Sequence, residues 1–130
     1  MLIVLIGSKT PQQLLSRMFD AWQAKDFEEM ARYVQPTYVQ ILQAPEVDVV
    51  VRLESLFGLT TFGGYERQSV TQGLLKNMRD AVVELFDARV ANVPVDRTVR
   101  VLVNVIEEPY TEGRGWFFNP VSALRREFVE

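Results

Sequence analysis

The sequence predicts an α+β fold, with helices in the first half packed on an antiparallel sheet in the second, and three observations carry that reading. Val99, Val101, Val103 and Val105 stand at alternate positions, with Thr98, Arg100, Leu102, Asn104, Ile106 and Glu108 between them. A period of two is the spacing of a strand with unlike faces, and β-branched valine suits its pleated surface. Upstream, Leu14, Leu15, Met18, Phe19 and Trp22 recur at helical spacing. Between the apolar runs of the second half, polar breaks at 92–96 and 107–115 sit where the chain must reverse, which makes the sheet a meander.

Taken in order, residues 1–9 form an apolar arm ahead of a single domain spanning 10–130. The first seven are too few to cross a bilayer, which takes about 20. The run resembles a lipoprotein leader but lacks the cysteine that would carry lipid. The arm is expected either as an added strand or strap across the core, or as a hydrophobic arm held by a partner or lipid. Membrane contact is expected only through residues 1–7. In either case six apolar residues in water would expose enough surface to mark a contact. The arm is therefore expected to touch another chain or to pair with the sheet edge, and deleting residues 1–8 to weaken assembly more than folding.

Thr10 and Gln13 form a capping box with Pro11 at the first helical position, and Asp26 and Glu29 form a second box. Two helices with a tight bend at 24–26 follow, the second burying Phe27, Met30, Ala31 and Val34 and ending at Pro36. Residues 38–43 alternate weakly and read as a connector. From Pro45 the stripe Val49, Val50, Leu53, Leu56 and Phe57 predicts a helix closed by Gly58, against the strand preference of three successive valines. Residues 60–70 predict the first strand, with a bulge or bend at Gly63 and Gly64. Residues 71–88 fit either a helical stripe or a polar turn at 76–80 followed by a strand from Ala81, and the sheet reading is favoured. Residues 119–129 fit either a short helix begun by Asn119 and Pro120 or a bulged last strand.

Length and a hydrophobic fraction of 48% suffice for one core. Fourteen basic residues against 17 acidic leave a net charge of −3, and no basic cluster is denser than Arg125–Arg126, so no nucleic-acid partner is expected. The chain has neither cysteine nor histidine. Disulfides, thiolate metal sites, cysteine nucleophiles and the commonest neutral-pH base are thereby excluded. No cofactor and no metal site is expected. Glu46, Asp48 and Glu54 read as a solvated helix face, and the compartment defaults to cytoplasmic.

The residues Phe19, Asp20, Ala21, Trp22, Lys25, Asp26, Phe27, Met30, Tyr33, Pro36, Thr37 and Tyr38 together resemble the N-terminal helical hairpin of the NTF2-like superfamily, the class that includes SnoaL and ketosteroid-isomerase-like domains. The order of elements, about three helices and then four strands, is similar along nearly the whole chain. The resemblance implies a conical domain in which a curved sheet wraps a long helix around an apolar pocket. Its members include isomerases, cyclases and dehydratases, and non-catalytic binding or assembly domains that commonly dimerise through the open sheet face. Fold alone does not choose among these.

Site residues follow from that choice. An isomerase would need a carboxylate base and a hydroxyl donor, for which Asp87 on a strand and Tyr33 and Tyr38 are the weak candidates. An apolar ligand pocket would draw on Trp22, Tyr33, Tyr38, Trp116 and Phe118. Alternation sends Phe117 to the face opposite Trp116 and Phe118, so Phe117 with Leu102 and Ile106 is expected at an interface. The favoured reading is a non-catalytic binding or assembly domain, a homodimer or subunit of an assembly. The alternative is a histidine-free isomerase, cyclase or dehydratase acting on an apolar small molecule.

Overall fold

The computed structural model describes residues 3–42, 48–121 and 125–129. Helix α1, Pro11–Gln23, opens as its sequence requires: Thr10 is extended, its hydroxyl accepts the Gln13 N–H, and Pro11 fills the first position. The Gln13 carboxamide reaches back to the Lys9 N–H at 2.8 Å, one residue before the cap. Lys25 turns the chain at a positive φ of 56°, and Asp26 accepts the Glu29 N–H to begin α2, Phe27–Ala31. Glu29 does not return the bond. Its carboxylate accepts the Tyr33 O–H at 2.6 Å and pairs with Arg32 at 3.6 Å.

Pro36 starts a helix where the sequence reading had it only end one. Helix α3, Pro36–Leu42, replaces the expected connector over 38–43. The residue that stops α2 from continuing is also pre-set for a first helical turn, and the Gln35 carbonyl accepts the Val39 N–H at 3.1 Å. Helix α4, Val49–Phe57, keeps its three valines helical because Asp48 caps the Val50 N–H at 2.8 Å and Val49 and Val50 are buried. Gly58 closes it, donating to the Glu54 carbonyl. The expected beginning near Pro45 lies outside the described residues.

The strands are β1 Thr60–Thr61, β2 Gly64–Gln72, β3 Met78–Phe86, β4 Arg89–Val90, β5 Val93–Pro94, β6 Thr98–Tyr110, β7 Gly113–Phe118 and β8 Arg125–Val129. The main sheet runs β2-β3-β6-β7, antiparallel throughout, and β1, β4 and β5 make a small second sheet. Strand β6 is shared along its length: residues 98–102 pair with β8, residues 105–110 with β7. Among the described residues the sheet is open, with no closed barrel. Over 71–88 the sheet reading holds with shifted bounds: β2 runs on to Gln72, the turn falls at 73–77 rather than 76–80, and β3 begins at Met78, three residues before the expected Ala81. The ladder slips at Gln68, so the bulge lies within β2 and Gly63 marks only the bend before it. At the C-terminus the strand reading holds over 125–129, while Asn119 caps a local turn by accepting the Val121 N–H. Residues 122–124, within the stretch where a short helix was the alternative, lie outside the described residues.

The helices cover one face of this sheet. Leu14, Met18, Phe19, Trp22, Met30, Val34, Leu53 and Phe57 meet Ala81, Val83, Leu85, the four alternating valines of β6, and Phe118 in one buried cluster. The apolar arm joins the fold within its own chain. Ser8 and Trp116 exchange both backbone bonds, Ile6 donates to the Arg32 carbonyl, and Ile3, Leu5 and Ile6 pack against the core. Glycine is required at this crossing: a Cβ on Gly7 would lie 2.7 Å from the Tyr110 ring and 2.9 Å from Gly115 Cα. Val4 alone among residues 3–7 is exposed.

Candidate functional site

The paired hydroxyls and carboxylate expected of an isomerase are not brought together. Asp87 is not on a strand; it follows β3 at a positive φ of 53° and is exposed, because the chain must turn there into β4. Tyr33 is buried and its O–H is committed to Glu29. Burial, and then that acceptor, push its phenol up to about 12. Tyr38 is half-buried at the edge of the core, and burial raises its phenol against the opposing charge of Arg52. Tyr65, which the sequence reading passed over, makes a second phenol–carboxylate pair, donating to Asp20 at 2.5 Å and raised to about 12 by burial and that bond. These tyrosines join elements to one another: Tyr65 ties β2 to α1, and Tyr33 braces the end of α2.

The expected pocket residues are distributed over separate parts of the core. Trp22, 1% exposed, sits among the rings of Phe19, Phe57 and Phe62 at 4.9–5.5 Å. Its indole N–H is shared by the carbonyls of Phe57 and Thr60, each at 3.1 Å. Trp116, 9% exposed, lies under the Arg79 guanidinium, 5.3 Å from the ring centre, at the crossing of arm and sheet. Phe118 is fully buried, and its backbone pairs with Tyr33 and Gln35. Of the expected set, Tyr33 and Phe118 are neighbours, while Trp22 and Trp116 share no ring contact among the described residues.

The outer face of the sheet holds the other candidates. Along the β3–β6 ladder the facing pairs are Met78 with Ile106, Asp80 with Asn104, Val82 with Leu102, and Glu84 with Arg100. Leu102, Ile106, Val82 and Met78 are all half-buried, and Phe86 at the end of β3 is exposed. Asn104 donates to Asp80 at 3.0 Å, and Arg100 pairs with Glu84 at 3.0 Å. Phe117 shares this face, opposite Ile106, but is 0% exposed. Gly113 and Gly115 leave that side of β7 without side chains, which lets the Tyr110 ring approach Phe117 edge-on at 5.3 Å. Its cover comes from within the chain, so Phe117 is not part of the accessible surface.

Two features had little sequence signal. Glu108 gathers Gln35 and Thr37, accepting from the carboxamide at 2.7 Å and from the hydroxyl at 3.0 Å, and so ties the start of α3 to β6 across 71 residues or more. Arg126 reaches inward from β8 to lie 5.6 Å from the Trp22 ring centre. The sequence marked it only as half of a basic pair. Among the described residues no cluster of three carboxylates is placed to hold a metal ion. Of the expected acidic trio, Asp48 is occupied as the α4 cap, and Glu46 lies outside the described residues.

No family model and no curated protein matches this chain. Among solved structures it is similar to the crystal structure of a SEC-C motif containing protein from Psychrobacter arcticus, with a TM-score of 0.62 and 16% identity. The match covers 88% of this chain, which spans 60% of that protein's length. At this identity the similarity concerns the fold alone.

Proposed function

We propose that the chain is a non-catalytic binding or assembly domain of the NTF2-like kind, its sheet curved as a cone about the helices and its outer face a protein contact, first of all between two copies. The observation that carries the reading is the two aliphatic pairs Met78–Ile106 and Val82–Leu102, which alternate along the outer face of the ladder with the polar pairs Asp80–Asn104 and Glu84–Arg100. A sheet with one solvated face ordinarily alternates to polar side chains there. Opposed charges beside an apolar strip suit a self-complementary two-fold contact, in which each residue meets its symmetry-related counterpart's neighbours. The commitment of Tyr33 to Glu29 and the exposed turn position of Asp87 further favour a binding role over the isomerase alternative.

Light scattering and sedimentation across the micromolar range test the proposal. The wild-type chain is expected as a dimer, and Leu102→Glu with Ile106→Glu as a folded monomer. A wild-type monomer throughout that range removes the homodimer, and a dimer that survives both substitutions moves the contact elsewhere.

A further inference from the structure

Four levels of side chains cross the outer face, set by the register of β3 on β6: Glu84 with Arg100, Val82 with Leu102, Asp80 with Asn104, and Met78 with Ile106. At each level the residue on β3 is matched by one on β6 that suits it: acid by base, aliphatic by aliphatic, carboxylate by carboxamide. Glu84 and Arg100 meet through a 3.0 Å bond from Nε, and their side chains are 18% and 40% exposed. A guanidinium has five N–H donors, so its terminal nitrogens can hold a second carboxylate while Nε keeps the first. Strands about 4.8 Å apart, rising about 3.4 Å per residue, give four strands of nine residues a face of roughly 500–600 Å². That is small for a specific contact, so charge rather than area must fix its register.

Two such faces can stack about 10 Å apart, with strands within about 30° of each other, in two ways. A two-fold axis lying across the strands reverses the order of levels. With Val82 and Leu102 each stacked on their own copies, Glu84 falls over Asp80 of the second copy, carboxylate on carboxylate, which is unfavourable. An axis running along the strands between β3 and β6 keeps every level and exchanges the strands. Glu84 then faces Arg100 of the second copy, Val82 faces Leu102, Asp80 faces Asn104 and Met78 faces Ile106, each contact occurring twice. Glu66 and Glu127 flank the charged level on β2 and β8, are exposed, and fall at the rim, where splay of the sheets separates them and water screens them. We infer that the second copy docks about an axis parallel to the strands, stacking β3 on its β6, with Glu84 and Arg100 forming two intermolecular ion pairs. This rests on the self-contact proposed above and names the residues of the second copy that each side chain recognises.

Sedimentation of Glu84→Arg and Arg100→Glu, singly and mixed, tests the register. Each variant alone sets like charges face to face twice and should self-associate about tenfold more weakly or worse. Mixed, the two restore both opposed pairs and should form a one-to-one heterodimer of near wild-type affinity. The reversed arrangement predicts otherwise, since Glu84→Arg would then meet Asp80 and associate more tightly. The chain has no cysteine, so single cysteines give a second reading that leaves the charges alone. Met78→Cys should link to its own copy through a short bis-maleimide, and should give no mixed product with Phe86→Cys, about 27 Å further along β3. With a dimeric wild type, three results overturn the inference and leave the self-contact standing: no heterodimer in the mixture, tighter association of Glu84→Arg, or linking of Met78→Cys to Phe86→Cys rather than to itself. A wild type that stays monomeric across the micromolar range removes both. Should a charge variant fail to fold, the cysteine products decide.

Discussion

The two faces of β6 differ by one residue of register and by everything else. Val99, Val101, Val103 and Val105 are buried against helices, while Arg100, Leu102, Asn104 and Ile106 are half-buried and set beside the side chains of β3. The inner row is held by packing from another layer. The outer row is held only by its neighbours in the same layer, with apolar and charged pairs alternating across the ladder. Burial from a second layer stabilises far more than lateral contact, because it removes both sides of a side chain from water. The inner row therefore serves the fold, whereas the outer row stays half in water.

Moving one charge by one residue along β6 separates the two faces. Val103→Asp, facing Ala81 on the buried side, places an unpaired carboxylate against the helices and should cost more than about 4 kcal/mol, enough to unfold the chain or nearly so. Leu102→Asp should leave the melting curve of the monomer within about 1 kcal/mol of wild type while abolishing self-association. Denaturant unfolding of both variants at low concentration reads the contrast directly. Phe117 marks where it ends. Though on the outer face, it is covered by Tyr110, so Phe117→Ala should cost about 3 kcal/mol or more, as a core substitution does. A loss below about 1 kcal/mol would return Phe117 to the interface.

Much of this division was legible in the sequence. Alternation identified both faces of β6, and the caps at Thr10 and Asp26 located the first two helices, since these signals depend on residues three or four apart. Pro36 misled because a proline that bars the preceding helix is also suited to begin the next, and only the partners of Gln35 and Thr37 on Glu108 reveal which. Met78 joined β3 because its partner is Ile106, a pairing between residues far apart in the chain. The candidate site was less legible than the fold. Trp22, Tyr33 and Phe118 were found as large side chains at the right spacing, but whether a buried ring fills a core or lines a pocket depends on its neighbours. Arg126 and Tyr65 carried no pattern at all, because their partners come from elements 45 or more residues away.

The helix side of the comparison also answers to pH. Tyr33 and Tyr65 are both raised to about 12 in the folded chain, above the ordinary 10, by burial and by Glu29 and Asp20. A raised folded value means that the neutral phenol is favoured on folding. The stabilisation is fully present below pH 10 and is lost as the pH rises through about 12. Phenolate absorbance should therefore show Tyr33 and Tyr65 ionising late, with Tyr38 also delayed, and unfolding growing easier between those limits. The double variant Tyr33→Phe and Tyr65→Phe should remove that part of the alkaline loss, and an unchanged profile would show that the pairs contribute nothing to it.

The smallest effect concerns Glu84 and Arg100, whose 3.0 Å pair sits at the border of the outer aliphatic row. In an isolated chain, with the Arg100 side chain 40% exposed, the pair should be screened by water and salt. Its coupling in a double-mutant cycle of Glu84→Gln and Arg100→Gln should then be about 0.5 kcal/mol. If two copies meet over this face, the same pair loses its solvent and is screened less, so its coupling should grow with protein concentration as dimer replaces monomer. Running the cycle once well below and once well above the association midpoint separates the two states of the face. A coupling that stays equal at both concentrations, while the protein is shown to dimerise, would mean that the pair remains in water and that the contact lies away from the ladder it borders.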